Sequence, residues 1–527
     1  MTDGNHRLGK SVIGLLFVVA ATLPALLTIR ESLWVDELHT SWVVHSNWMQ
    51  VAGRATEGNQ SPLYFWLLRA FLTLFPENEV SLRLPSLLAW ALLAFGCARL
   101  VGSWQFSEGD DLRKDWKRRW LGVIVVAIWL AIDRIGIFYA IEARPYAMIA
   151  LCSIIMIHRS SHSQKFANSL DRTWSLAAIA SCYLHYTAIL IVAASWAGRV
   201  IVSVFTSPWE TPSSSRLQSP LRVESWQKIS VAFRLGEIVF VLLGTLPALY
   251  GMVSVMQRKQ MWFYFAGDTR LRNSFEMLPL LPWCVIPLII ALLIVRHRGK
   301  FSFQQQFLRS ENAAVLIPLL CVAFIPLIIA WAVTALDIAP LMHRRYVIGS
   351  YPAILLLGAW SLRSLSSSRQ VLLVGLLSTC LLIFQQGTDR VWRAGQLFGW
   401  QRGEDWASAV EHLNRQAVSE DHLILAPRLI ETANLASSQL KSTEYLQYPV
   451  DGLYSCKIRY RSVLLNDHPL ADLVMLPGRY WLLARLSPER LRSIVDVVLN
   501  VPNKNPTQMV SRTNYGNLQL VEIIVLP

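Results

Sequence analysis

Charge is what this sequence has least of. Charged residues make up 16% of its 527 positions, against roughly 25% in ordinary soluble domains. Together with 53% hydrophobic residues and a mean hydropathy of +0.37, that scarcity excludes a disordered chain, a collagen-like one and a disulfide-stapled miniprotein. Cysteine is also sparse, at seven residues. Cys97, Cys152, Cys182, Cys284, Cys321 and Cys380 fall in or beside apolar stretches, where a free thiol behaves as a small hydrophobe. Only Cys456 lies in the C-terminal tail, so no intrachain disulfide is expected there. The sequence contains no internal repeat, low-complexity tract, Gly-rich nucleotide loop or zinc-spaced Cys/His pattern. The net charge of +14 would suit a nucleic-acid binder, but it sits among 21 Trp and long apolar runs. What matters is where the positive charges lie relative to a bilayer.

A hydrocarbon core about 30 Å thick takes around 20 mostly apolar helical residues. Eleven such stretches are readable, at about 11–29, 81–102, 120–138, 145–158, 172–187, 188–205, 236–256, 279–295, 313–335, 346–362 and 370–387. The one after Arg144 is short, and the fifth and sixth are separated only by Cys182-Tyr183-Leu184-His185-Tyr186. Met1–Lys10 with the run Ser11–Ile29 has the outline of a signal peptide. Its apolar run exceeds the roughly 7–15 residues of such segments, and Leu26-Leu27-Thr28-Ile29-Arg30 makes a poor cleavage site, so an uncleaved first span is expected.

Charge placement supports that count. With the N-terminus inside, the inner segments hold 22 basic and 10 acidic residues, the outer loops 12 and 11, and the chain beyond about residue 388 holds 15 and 14. Basic residues concentrate on the cytoplasmic side of membrane proteins. The bias therefore predicts N-terminus in, an odd span count and C-terminus out. An error of one span would invert every later loop and spoil it.

At about Asp389 the chain changes character. Gly403–Leu413 reads as an amphipathic helix, His422–Ala426 before Pro427 as a buried strand, Arg479–Arg485 as a second strand, Ser487–Leu499 as a second helix and Gln519–Val525 as a last strand. The expected architecture is a polytopic α-helical membrane protein of about 11 transmembrane helices (1–388, with an outer loop at 30–80) carrying a small C-terminal α/β domain (389–527). The tail is large enough for a core of its own.

Three charged groups fall on the expected outer face. Asp36 and Glu37, in Leu33-Trp34-Val35-Asp36-Glu37-Leu38-His39-Thr40, follow the first span by a few residues. A solvated helix end is their plainest reading. The loop beyond contains Gln60-Ser61-Pro62-Leu63-Tyr64-Phe65-Trp66-Leu67-Leu68-Arg69, whose Trp, Leu and Phe positions suit a helix in the interface plane. In the second group, Tyr139-Ala140-Ile141-Glu142-Ala143-Arg144-Pro145-Tyr146-Ala147, Pro145 marks a helix start. Arg144 is thereby set beside the positive end of a helix, a poor place for a cation without an anion nearby. Pairing of Arg144 with Glu142 or Asp36 is the structural alternative. The third group, Met342-His343-Arg344-Arg345-Tyr346, puts two arginines outside against the positive-inside bias. A phosphate at the membrane surface would account for them, and so would pairing with lipid headgroups. Carboxylates and arginines at headgroup depth are what an enzyme needs when a lipid phosphate is the leaving group: a base for the acceptor hydroxyl and cations for the phosphate.

The pattern Trp34-Val35-Asp36-Glu37, Ser61-Pro62-Leu63-Tyr64 with Leu67-Leu68-Arg69, and Leu82-Arg83-Leu84-Pro85-Ser86 resembles the dolichyl-phosphate-mannose–protein mannosyltransferase-like family of the GT-C superfamily of membrane glycosyltransferases. Glu142-Ala143-Arg144-Pro145-Tyr146, Arg345-Tyr346-Val347 through Pro352, and Gly403-Glu404-Asp405-Trp406 continue the resemblance, which covers most of 1–430. It implies the GT-C fold and a bacterial-type enzyme of the cell's inner membrane. Such an enzyme takes a sugar from a polyprenyl-phosphate carrier on the outer face. Asp36 matches the proposed catalytic carboxylate, with Glu37 beside it. Gln60-Ser61 stands where the aminoarabinose transferases of lipid A carry a phosphate-binding Lys. That departure argues against this branch and leaves Arg144 and Arg345, with Arg344, as phosphate ligands. The Trp-Trp-Asp motif of oligosaccharyltransferases is absent from the tail.

The expected reaction has Asp36 deprotonating the acceptor hydroxyl, which displaces the lipid phosphate with inversion at the anomeric carbon. Glu142, His39, Tyr64 and Tyr146 would orient the sugar or acceptor. The region of Pro279, Pro282, Trp283 and Pro287 is a candidate lining for the prenyl chain. No metal is required by the pattern, though His39, His185 and His343 on the outer side leave a divalent cation open. The partners expected are the lipid-linked donor, the membrane and a glycan, lipid or protein acceptor, with no nucleic acid. A transporter or flippase of lipid-linked sugars is the alternative from another class; its ionisable groups belong near mid-membrane, in paired repeats. A non-catalytic scaffold is a third.

Overall fold

The computed structural model describes residues 2–58, 60–104, 112–161, 170–205, 220–257, 269–297, 310–363, 365, 367–395, 402–426, 443–463, 476–485 and 506–527. The chain divides into two compact units. Met1–Leu27 with Ser86–Gly399 form one, and Thr28–Pro85 with Trp400–Pro527 the other.

The first unit is helical, and a helix stands at each of the eleven apolar stretches. Glu79–Ser103, Tyr186–Val204, Ala232–Gln257, Asn312–Ala335 and Ser368–Gln385 are each long and apolar enough to cross a bilayer. Lys117–Ile132 and Arg134–Ala140, bent by 72°, make a sixth if taken together. These helices make the chain an integral membrane protein. Several other expected spans are shorter. Arg172–Leu184 and Tyr351–Arg363 have 13 residues each, about 20 Å at 1.5 Å per residue, less than the hydrocarbon thickness. Tyr351–Leu362 is buried on every face, as befits a helix enclosed by other helices.

The 72° bend has a local cause. Asp133 interrupts the helix and caps the next one, accepting from the backbone N–H groups of Ile135 (3.3 Å) and Gly136 (2.8 Å). It also accepts from the Tyr351 hydroxyl at 2.6 Å and from the Gln386 side chain. Four donors compensate a fully buried carboxyl. Trp283, expected beside a prenyl groove, is fully buried and lies between Trp129 and Tyr351, 6.0 and 5.2 Å away by ring centroids. Its large apolar surface serves the helix core instead.

The second unit joins the loop at 28–85 to the tail. Its loop helices are α1 (Val35–His45), α2 (Trp48–Glu57) and α3 (Leu63–Leu72). The tail builds a five-stranded mixed sheet from β1 (His422–Ala426), β2 (Tyr460–Val463), β3 (Gly478–Arg485), β4 (Thr507–Tyr515) and β5 (Leu518–Val525), in the order β2-β1-β3-β5-β4. β1 pairs parallel with β2 and β3, while β5 runs antiparallel to β3 and β4. The central strands are buried and the edge strands β2 and β4 are largely exposed. Helix α4 (Trp406–Gln416) buries Trp406, Ala409, Val410 and Leu413, the helical spacing of one apolar face. The strands expected at 422–426, 479–485 and 519–525 are all present, and the helix expected at 403–413 runs instead over Trp406–Gln416, with Glu404 in a β-bridge to Gly516. The helix expected at 487–499 lies outside the described residues.

Candidate active site

Asp36, Glu37, His39 and Tyr64 belong to the second unit, and Glu142, Arg144, Tyr146, Arg344 and Arg345 to the first. Each group is built by a different piece of local structure.

Asp36 and Glu37 occupy the first turn of α1, where the helix dipole favours negative charge. They face different surroundings. Asp36 is half-buried. Glu37 is fully buried, accepting from Arg83 Nε at 2.9 Å and Nη2 at 2.5 Å, with Arg402 Nη2 at 3.6 Å. Its carboxylate also lies 3.4 Å from the Trp34 N–H, closing the helix N-terminus. Arg83 continues to the backbone, donating to the carbonyls of Ile29 (2.9 Å), Ser32 (3.0 Å) and Glu31. The approach to Asp36 is thereby fixed on one guanidinium. Thus two adjacent carboxylates that look equivalent in the sequence are divided between an anchor and a half-exposed acid.

His39 is buried in an aromatic cluster, 5.0 Å from Tyr445, 5.7 Å from Trp42 and 6.3 Å from Phe65. Tyr64 is fully buried, edge-on to Phe65 at 5.5 Å.

In the first unit the two remaining groups come together. Tyr146 opens the helix Tyr146–Ser161 directly after Pro145, as expected from that proline. The turn before it is closed by the Arg144 N–H donating to the Glu142 carbonyl at 2.6 Å, and Ser86 donates to the Arg144 carbonyl at 3.1 Å. A row of rings runs on from there: Tyr139 to Tyr146 (5.4 Å), Tyr146 to His185 (5.8 Å), His185 to Tyr346 (5.7 Å) and Tyr346 to His343 (5.7 Å). Arg345 lies over Tyr346 at 5.1 Å, a cation–π contact. His343 caps the short helix of Arg344 and Arg345, and Arg344, exposed, donates to the Glu276 carbonyl at 3.1 Å.

His185 stands in the middle of this row, buried between Tyr146 and Tyr346. Its Nδ1 accepts from the Thr187 N–H at 3.3 Å and lies 2.8 Å from the Thr187 hydroxyl, which assigns the ring proton of the neutral imidazole to Nε2. Arg144, two residues before Tyr146, and Arg345, over Tyr346, thus approach the same histidine through those rings, and Glu142, Arg345 and Arg344 are all electrostatic neighbours of Tyr139. Three arginines and one glutamate leave an excess of positive charge suited to an anion.

Within neither unit do the described residues gather three His, Cys, Asp or Glu side chains able to hold a metal ion. Sequence reasoning missed roles for Arg83, Arg402, Glu404, Tyr139 and Tyr346. Arg83 and Glu404 stood inside motifs already noted, but nothing in their spacing said what they would touch.

No protein-family model matches the chain, and no curated protein matches it by sequence. Among solved structures it is similar to ArnT from Cupriavidus metallidurans bound to undecaprenyl phosphate, with 14% identity, 99% of this chain and 98% of that one covered, and a TM-score of 0.46. It is also similar to that protein in the apo state, with 15% identity, 96% and 97% coverage and a TM-score of 0.41. At such scores the likeness carries no argument about activity, which is read from the residues themselves.

Proposed function

We propose that the protein is an integral-membrane glycosyltransferase of the GT-C type, transferring a sugar from a polyprenyl-phosphate carrier to an acceptor on the extracytoplasmic face. The observation that carries this reading is the row Tyr146–His185–Tyr346, which brings the turn of Glu142 and Arg144 beside the short helix of Arg344 and Arg345. Such a cluster suits a phosphate whose negative charge grows as the sugar departs. The half-buried Asp36, on a turn held by the Glu37–Arg83 pair, supplies the base.

In this reaction Asp36 takes the proton of the acceptor hydroxyl, whose oxygen bonds to the anomeric carbon as the bond from that carbon to the phosphate oxygen breaks. One displacement inverts the carbon, and the electron pair leaves with the lipid phosphate on Arg144, Arg345 and Arg344. Glu37 holds the turn that carries Asp36. Glu142, His39, Tyr64 and Tyr146, all buried, orient sugar or acceptor. The N-terminus is cytoplasmic, the tail from 389 is extracytoplasmic, and the membrane is the cell's inner one.

The test is transfer in membranes from a panel of radiolabelled polyprenyl-phosphate hexoses and pentoses. Wild type should turn over one of them and Asp36→Asn none. Full transfer by Asp36→Asn overturns the assignment. Deleting the protein and comparing envelope glycans by mass then identifies the acceptor as the species missing one sugar.

A further inference from the structure

The start of α1 is held from the far end of the chain. Glu404 Oε2 accepts from the Val35 N–H at 3.1 Å, which is the first N–H of the helix carrying Asp36. Such groups have no partner within their own helix, and a carboxylate there also meets the positive end of the helix dipole. The tail makes two further contacts on the same turn. The Tyr454 hydroxyl accepts from the Leu33 N–H at 2.9 Å, and Ser32 Oγ accepts from the Ala407 N–H at 3.0 Å.

Glu404 is itself immobilised by the sheet. Its side chain accepts from Arg485 Nε of β3 at 2.5 Å and from the Trp406 indole N–H at 3.0 Å. Its backbone bridges Gly516 in the turn between β4 and β5. Gly403 and Gly516 adopt φ of +71° and +67°, and a side chain at Gly516 would strike the Gly403 carbonyl. Gly516 thus requires glycine for both conformation and space, and Gly403 for conformation. Tyr454 is tied in turn to Glu79, donating at 2.9 Å.

We propose that Glu404 and Tyr454 are positioning residues for Asp36, so that the tail sheet is part of the catalytic apparatus and sets where the base stands. This rests on Asp36 being that base. Displacing a catalytic group by about 1 Å can cost on the order of a hundredfold in rate, and a turn capped from a rigid sheet resists such displacement.

The full chain in detergent tests this with Glu404→Ala, Glu404→Gln, Tyr454→Phe and Asp36→Asn. Hydrogen exchange is read first, since it needs no substrate. Glu404→Ala should speed exchange across 33–38 about tenfold or more while β1 and β3 stay protected, and Tyr454→Phe should do so at Leu33. Transfer from the polyprenyl-phosphate sugar that wild type turns over is read second, per folded molecule. Glu404→Ala should lower kcat about tenfold, keep donor KM within about twofold and move the midpoint of the pH profile. Glu404→Gln, whose amide oxygen still accepts from Val35, should recover most of the rate.

Exchange at 33–38 that stays at the wild-type rate in both Glu404→Ala and Tyr454→Phe overturns the inference. So does faster exchange with unchanged kcat and pH midpoint, the signature of a merely structural contact. Should Glu404→Ala not fold, Tyr454→Phe, which removes one oxygen, decides by the same two readouts. Full transfer by Asp36→Asn would instead sink the assignment of the base, whatever the exchange data show.

Discussion

Arg83 grips Glu37 through two nitrogens, at 2.9 and 2.5 Å, with both side chains wholly inaccessible to solvent. Breaking a buried pair strands a charge in a poorly solvating interior, at a cost of about 3–5 kcal/mol. Arg83→Met and Glu37→Gln should each lower the thermal unfolding midpoint in detergent. Arg83→Lys should not restore it, because an ammonium cannot reproduce the fork that reaches both Glu37 oxygens and three carbonyls. An unchanged midpoint in Arg83→Met contradicts this account.

If Arg144 and Arg345 hold the donor phosphate, losing one should weaken the departing group's stabilisation. Arg144→Lys and Arg345→Lys are each expected to reduce kcat/KM for the polyprenyl-phosphate sugar by roughly 10- to 100-fold, the scale of a lost charge-assisted hydrogen bond in a transition state. Donor titrations in membranes check this. Wild-type kinetics in both variants would remove the phosphate from this cluster.

A second buried network lies on the expected cytoplasmic side. Arg199 donates to Asp171 Oδ2 at 3.3 Å and to Glu237 at 2.9 and 3.2 Å, while Arg234 reaches Glu237 at 2.6 Å and Arg159 reaches both Asp171 oxygens at 3.0 Å. Arg199→Met removes the cation shared by the two carboxylates but leaves Asp171 with Arg159 and Glu237 with Arg234, so it should lower the unfolding midpoint by less than the loss of a sole partner would. Transfer per folded molecule should remain unchanged, since none of these residues touches the proposed site. A comparable fall in kcat of the folded variant would instead implicate this network in turnover.

Much of the helical architecture was legible because its cause is local. An apolar run favours a helix whatever surrounds it, so a helix stands at each of the eleven stretches, while among the described residues five, or six with the bent pair, are long and apolar enough to cross a bilayer; the proline after Arg144 marked a helix start that the backbone confirms. The strands at 422–426 and 519–525 were readable for a similar reason, as β-branched and leucine-rich runs between turn residues. Strands β2 and β4 were not. They are exposed edge strands, whose sequences carry little apolar signal and whose pairing depends on neighbours distant in the chain.

The site divides along the same line. The scarcity of charge that first distinguishes this chain made each outward carboxylate and arginine conspicuous, so the sequence by itself determined that it is a membrane protein and nominated Asp36, Glu37, Arg144 and Arg345. Only the tertiary structure decided that Arg83 claims Glu37, that Tyr146, His185 and Tyr346 stack into one row, and that residues 28–85 pack with 400–527 so that Glu404 caps the helix of Asp36. Composition and spacing record what each segment does alone. A buried ion pair between residues 46 apart, or a cap from 369 residues away, depends on side-chain directions that exist only after folding.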